Sequence, residues 1–418
     1  MRAINAARVV GTLRENGALS RADLFRMTGL SKPTITSVVA YLQEAGYVEL
    51  VERPDGKLSS GMRRPQLYGF RAQFGHVLGL DIGADKLLML LANLDGNIIG
   101  RRRVNIRRAM QRGPSAILRT VGVMADEILE EAGLRKDSLH AVSAGTPGVV
   151  SAAGVVTLAP QISEWEGINL QDALGAIFPC PVYVEREVSL SLLAERWVGV
   201  AAGIDDALFV NLGIGVGAAL LIDGRICRGA DGAAGEIGVM PLEAAPPSSS
   251  TSLGPFESMT GGIAFARDGQ EAGRTKAGKR LVELAGGRID AIDATVVFAA
   301  AREGDRAALA IVDRALQILG WGISCLVCAF NPRTVIIGGG MSQAADQILE
   351  SLERHVALYA PFPPDWLVST LGEEAVALGA VRRVTETLEH DLFLSPDALG
   401  VASTPTLAAT ADRADGVL

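Results

Sequence analysis

Residues 77–106 read VLGLDIGADKLLMLLANLDGNIIGRRRVNI, and residues 207–222 read ALFVNLGIGVGAALLI. In the first stretch, Val77–Ile82, Lys86–Asn93 and Ile98–Ile106 are runs of strand length, separated by the turn at Gly83 and by Asp95-Gly96, a hairpin signal. In the second, strands Ala207–Leu212 and Val216–Ile222 flank Gly213-Ile214-Gly215, and Asp223-Gly224 makes the next hairpin turn. After the first meander, Ser115–Ala132 reads as a helix, His140–Gly145 as a strand and Thr146-Pro147-Gly148 as a turn. Two such meanders, about 130 residues apart, predict an internally duplicated, two-lobed α/β body. A cleft between the lobes is the expected ligand site.

The whole chain sets further limits. Its 418 residues allow two to three domains with sizeable cores. Mean hydropathy is +0.27. The most apolar run, Ala207–Ile222, nevertheless contains Asn211 and three glycines and lies between Asp206 and Asp223. It also falls short of the ~18–20 residues that a membrane span needs, so no membrane partner is expected. Near the N-terminus, Arg2, Arg8 and Arg14 are spread among apolar residues without the compact apolar core of a signal peptide. Four cysteines are too few for a disulfide framework, which points to a reducing, cytoplasmic location.

Charge is unevenly spread. Residues 1–75 carry eleven Lys and Arg against six Asp and Glu, a net +5, and the remainder carries −13. A basic head on an acidic body suggests nucleic-acid binding by the head. Within it, Ile4, Val9, Val10 and Leu13 mark a helix that stops at Gly17. Ser20 and Asp23 form a capping box for a second helix, with Leu24, Phe25 and Met27 as its apolar side and Gly29 as its stop. Ser31 opens a third, with Pro33 in its first turn. Ile35, Val38, Val39 and Leu42 fall at i, i+3, i+4 and i+7 and face inward. Ser31, Lys32, Thr34, Thr36 and Ser37 are left near the helix start, where a recognition helix meets the major groove. Tyr47–Val51 and Gln66–Phe70 alternate like strands about the turn Pro54-Asp55-Gly56. This hairpin reads as a wing whose Lys57, Arg63 and Arg64 suit phosphates or a minor groove.

These residues carry a resemblance across nearly the whole chain. Asp81-Ile82-Gly83-Ala84-Asp85-Lys86, Gly145-Thr146-Pro147-Gly148, Gly213-Ile214-Gly215-Val216-Gly217, Gly235-Glu236-Ile237-Gly238 and Gly338-Gly339-Gly340 occur in the order and spacing of the ROK family (repressors, open reading frames and kinases). In the head, Ser20-Arg21-Ala22-Asp23-Leu24, Thr28-Gly29-Leu30-Ser31-Lys32-Pro33-Thr34 and Arg63-Arg64-Pro65 resemble the DNA-binding region of ROK repressors. The resemblance implies a winged helix-turn-helix followed by a two-lobed, actin-like, sugar-kinase-type fold. It divides the chain into a head at 1–72, a first lobe at 77–190 completed by a helix at 375–395, and a second, oligomerising lobe at 191–374. Residues 400–418, rich in Ala and Thr, read as a disordered tail.

The departures from the family pattern are specific. Kinases of the family carry an Asn-Asp pair whose Asp is the catalytic base. Here Arg186-Glu187 stands in its place. The first phosphate turn reads Ala84-Asp85-Lys86 instead of Gly-Thr-Lys, which sets a carboxylate where phosphates would sit, and Ile214 replaces a hydroxyl in the second. The family's zinc ligands are replaced by Val239, Ser248, Ser250 and Pro255, none of them a thiolate or imidazole, so no metal or cofactor is expected. Cys325 and Cys328 lie in an apolar helical stretch without histidine and read as buried structural thiols.

Glu236 and Glu257 match family residues that accept sugar hydroxyls, while Arg186 and Glu187 take the places of other sugar contacts. Arg186 could offer its planar fork to an acidic group. It could also be neutralised by Glu187 or Glu236. The expectation is therefore a non-enzymatic transcription regulator, a repressor of carbohydrate-related genes that senses a sugar-like or acidic-sugar effector. Its partners would be that effector, a palindromic double-stranded operator and further copies of itself, as a dimer or tetramer. The alternatives are a sugar kinase with a fused head and an effector-independent DNA-binding protein whose body is a dimerisation scaffold.

Overall fold

The computed structural model describes residues 2–51, 65–159, 162, 164–241 and 254–394. The chain divides into two compact units, one of residues 1–74 with 386–418 and one of residues 75–385.

The head comprises α1 (Arg2–Asn16), β1 (Leu19–Ser20), α2 (Arg21–Thr28), α3 (Lys32–Glu44), β2 (Val48–Val51) and β3 (Leu67–Phe70). The strands form an antiparallel sheet in the order β1-β3-β2. The capping box is present: Ser20 Oγ accepts from the Asp23 N–H, and the Asp23 carboxylate accepts from the Ser20 N–H, both at 3.2 Å. Gly29 ends α2 in the left-handed region, at φ 67°, where a side chain would strain the backbone. Ser31 caps α3, with Pro33 in its first turn. Val9, Val10 and Leu13 of α1 and Leu24 of α2 pack with Ile35, Val38, Val39 and Leu42 of α3 in the buried head core. Three apolar residues expected on inner faces are instead exposed: Ile4, Phe25 and Met27. In α2 the inner stripe is Leu24 and Thr28, one turn apart, which turns Phe25 and Met27 to the outside. Phe25 is covered from there by Lys32, whose Nζ lies 5.6 Å from the ring centre. The wing turn Pro54-Asp55-Gly56 lies outside the described residues.

The body starts with β4 (His76–Ile82), β5 (Lys86–Asn93), β6 (Ile98–Asn105), α4 (Arg107–Met110), α5 (Pro114–Glu131), β7 (Leu139–Thr146), β8 (Val149–Val150), β9 (Val156–Thr157), α6 (Leu170–Gly175), β10 (Val182–Arg186) and α7 (Glu187–Val198). It continues with β11 (Ala207–Leu212), β12 (Val216–Ile222), β13 (Arg225–Ile226), α8 (Glu257–Thr260), α9 (Gly262–Gly273), α10 (Lys279–Leu284), α11 (Ala294–Arg302) and α12 (Arg306–Phe330). The last elements are β14 (Thr334–Gly338), α13 (Ala345–Ala357), β15 (Asp365–Val368) and α14 (Ala375–Leu394).

The duplication is visible in the sheets. One runs β6-β5-β4-β7-β10 and the other β13-β12-β11-β14-β15. In each, three antiparallel strands are followed by two parallel additions. The register repeats too: Asp81 pairs with Gly145 in the first sheet, and Asn211 with Gly338 at the matching place in the second. Central strands such as β4, β7, β11 and β14 are almost wholly buried, as expected of sheets covered on both faces.

The run at 207–222 forms the two strands expected of it, and the long apolar helix of the body is α12. By length and composition alone α12 could cross a membrane. Leu316, Leu319, Ile323 and Val327 on its inner face belong to the core of the second lobe. Cys325 and Cys328 lie on its exposed face, correcting the expectation of buried thiols. At the other end of the chain, α14 begins against the first lobe at glycine contacts. A Cβ on Gly379 would meet the Leu190 carbonyl of α7 at 1.9 Å, and one on Gly79 of β4 the Ala377 carbonyl at 2.3 Å.

Candidate functional site

The carboxyl ends of the parallel strands in both sheets open on a cleft of about 700 Å³. This is where open α/β sheets place their ligands, because loops diverge there and backbone groups are free. The β4–β5 turn brings in Asp81, Asp85 and Lys86, and the junction of β10 with α7 brings Arg186 and Glu187. Glu236 comes from the segment after β13, and Glu257 is the first residue of α8. The cleft thus gathers all four residues named from the sequence for effector binding.

Arg186 is 3% exposed. Its Nη2 lies 2.6 Å from Glu236 Oε1 and donates to the Ala218 carbonyl at 3.4 Å, while Nη1 donates to the Ala234 carbonyl. The fork expected to meet an acidic ligand is therefore spent inside the protein. The reason is the cost of burying a cation without a counter-charge. A second pair, Arg228 Nε to Glu185 Oε2 at 2.5 Å, joins the same two segments.

Glu187 is the first residue of α7. Burial, then the nearby charge of Asp81, raises its carboxyl to about 7, with Glu236 adding to the rise and Lys86 and Arg186 opposing it. Asp81 is likewise raised by burial, with Lys86 opposing. Lys86 Nζ stands 3.1 Å from Asp81 Oδ2 and donates to the Glu373 carbonyl at 2.9 Å. Asp85 faces Arg107 at 3.4 Å, which offsets part of the repulsion toward phosphate expected from its carboxylate. Glu257 Oε1 accepts from the Gly254 N–H at 3.0 Å.

Asp81, Glu373 and Arg107 were not named as site residues from the sequence. An aspartate at the end of an apolar strand was a usable signal for the first. Glu373 had none, because it meets Lys86 from 287 residues away.

Val239 and Pro255 offer no ligand atom for zinc, and Ser248 and Ser250 lie outside the described residues. Among the described residues, no group of three or more His, Cys, Asp or Glu side chains is placed to hold a metal ion. The residues present do not fit a thiolate–imidazole site.

On the head, Lys32, Thr36 and Ser37 are exposed at the start of α3. Ser31 Oγ accepts from the Thr34 N–H at 3.3 Å and lies 2.7 Å from Thr34 Oγ1, so both side chains are engaged in capping. Thr36 Oγ1 donates to the Lys32 carbonyl at 3.0 Å. Lys57, Arg63 and Arg64 lie outside the described residues.

The Glu187 carboxyl carries a pH dependence. Its ordinary value is 4.5, and the folded protein holds it near 7. Its contribution to stability is full below the ordinary value and is lost as pH rises through about 7, because the folded form then loses a proton it had favoured. Glu187→Gln should therefore melt a few degrees above the wild type at about pH 8 and close to it at about pH 5. Thermal denaturation at the two pH values checks this, and an equal difference at both would contradict the assignment.

Comparison with known proteins matches residues 77–386 to the ROK family and residues 3–57 to the MarR family. The xylose repressor of Caldicellulosiruptor bescii is 28% identical over 391 residues, 92% of this chain and 96% of that protein. The glucokinase of Halalkalibacterium halodurans is 30% identical over 310 residues, 72% of this chain and 92% of that protein. A crystal structure of a ROK family transcriptional regulator, a homologue of the E. coli MLC protein, superimposes with a TM-score of 0.75 at 22% identity, covering 95% of this chain and 98% of that one. With its body matched across residues 77–386 and its sheets duplicated, the chain belongs to the ROK family.

Proposed function

We infer that the protein is a DNA-binding transcription regulator, a repressor of carbohydrate-related genes, whose body senses a sugar-like effector and transfers no phosphoryl group. One observation carries the reading. A capped helix with outward Lys32, Thr36 and Ser37 is joined in one chain to a sugar-type cleft whose phosphate-side lysine is already held by Asp81 and Glu373. Its similarity to a xylose repressor over 92% of the chain supports the same reading.

Glu187, Glu236 and Glu257 present carboxylate oxygens suited to hydroxyl donors. Because Arg186 is engaged by Glu236, an acidic group has no free guanidinium to meet, and the sugar-like form of the effector is favoured over the acidic one. We assign residues 1–72 to DNA binding, 77–190 with 375–395 to the first lobe, and 191–374 to the second lobe and oligomerisation. A symmetric operator requires two heads, hence a homodimer or tetramer, acting in the cytoplasm.

One observation favours the kinase reading: a carboxyl near pH 7 at position 187 is a suitable general base, in a body 30% identical to a glucokinase. Against it stand the engaged Lys86 and the apolar, exposed Ile214 in the second phosphate turn.

Two measurements test the proposal. Lys32→Ala with Arg64→Ala should weaken binding to the chain's own promoter region and flatten its salt dependence by about one unit of slope per lost phosphate contact. Binding that survives removal of residues 1–72 would refute the role of the head. In a coupled ATP-turnover assay with hexoses, pentoses and amino sugars, the protein should stay at background. Turnover abolished by Glu187→Gln would establish a kinase instead.

A further inference from the structure

We propose that the cleft takes a sugar bearing a protonated primary amine, an unacylated amino sugar, and rejects phosphorylated and acidic sugars. This inference rests on the sensor reading above and names the ligand class of that site.

The argument is a pairing of charges. Lys86 stands with Asp81 at 3.1 Å, and Arg186 with Glu236 at 2.6 Å. Asp85 stands with Arg107 at 3.4 Å, and Glu373 with Arg103 at 3.0 Å. Two carboxylates of the lining are left over. Among the described residues, no cation lies within ion-pair distance of Glu187 or of Glu257. Glu257 uses one oxygen on the Gly254 N–H, and its second accepts no bond from a described residue. The Glu187 carboxylate accepts no hydrogen bond from a described residue, and like charges of Asp81 and Glu236 lie near it. Among the described residues, no histidine, tyrosine or further lysine lines the cleft.

With Glu187 ionised, an anionic ligand entering here would meet two carboxylates that no described cation pairs with, while Lys86 and both terminal nitrogens of Arg186 are engaged. A neutral sugar can donate hydroxyl hydrogens to both but leaves the charge in place. An ammonium donates three hydrogens and cancels one charge, in a partly desolvated site where charge counts for more than in water. The ammonium is placed at Glu187, where burial and the like charges of Asp81 and Glu236 most disfavour a lone carboxylate, and vicinal hydroxyls at Glu257.

The test is calorimetric titration of the full chain with 2-, 3- and 6-amino hexoses, each beside its N-acetylated form, its neutral parent and the parent 6-phosphate. At least one amine should bind tenfold or more tighter than its N-acetylated and neutral partners, and the phosphates should not bind. Glu187→Gln should bring the amine-to-neutral ratio near one, whereas Glu257→Gln should weaken both sugars and keep the ratio. A neutral or N-acetylated sugar binding as tightly as its amine, or a ratio unmoved by Glu187→Gln, overturns the proposal and leaves the sensor reading standing. Binding by no member of the panel overturns the sensor reading and the proposal with it.

Discussion

The buried guanidinium of Arg186 holds the two halves of the cleft in register. It comes from the end of β10 in the first sheet, and its partners, Glu236 with the carbonyls of Ala218 and Ala234, come from the second lobe. Removing one partner of such a buried pair typically costs ~3–5 kcal/mol, because the other charge is stranded. The lobes are therefore joined at the floor of the ligand site, and the nearby Arg228–Glu185 pair reinforces the same seam. A ligand that draws Glu236 toward its own hydroxyls competes with that seam. In the proposed sensor, this competition would let a bound ligand alter the body.

The same constraint supports the proposed absence of phosphoryl transfer. Phosphoryl transfer depends on cations free to meet a phosphate chain and on turns that present donors to it. Here Lys86 is held by Asp81 and by the backbone of Glu373, and Arg186 is held by Glu236. The carboxylates facing the cleft keep the ability to accept hydroxyl donors, which recognition of a sugar requires and phosphoryl transfer alone does not.

Much of the fold was legible because it is local. The Ser20–Asp23 capping box, the inner face Ile35, Val38, Val39 and Leu42, and the two glycine-broken meanders depend on residues only a few places apart. The membership of the cleft was legible as well, since Arg186, Glu187, Glu236 and Glu257 each fall within or beside a recognisable motif. What the motifs do not encode is who pairs with whom. The Lys86–Glu373 bond spans 287 positions, and Arg186 reaches the Ala234 carbonyl across 48. Nor does composition tell which side of an apolar helix is covered: the sequence pattern puts Phe25 and Met27 of the head and Cys325 and Cys328 of α12 inside, and they lie outside.

In the proposed regulator, operator binding by the head and ligand binding in the cleft are thermodynamically linked. Linkage is reciprocal: if a ligand changes operator affinity by some factor, the operator changes ligand affinity by the same factor. The most direct measurement is a closed binding cycle on the full chain. Operator affinity is determined with and without a saturating cleft ligand, and ligand affinity with and without saturating operator, at one salt concentration. The account predicts that the two ratios are equal and differ from one by about 5–150-fold. A ligand that fills the cleft while operator affinity stays unchanged would contradict it.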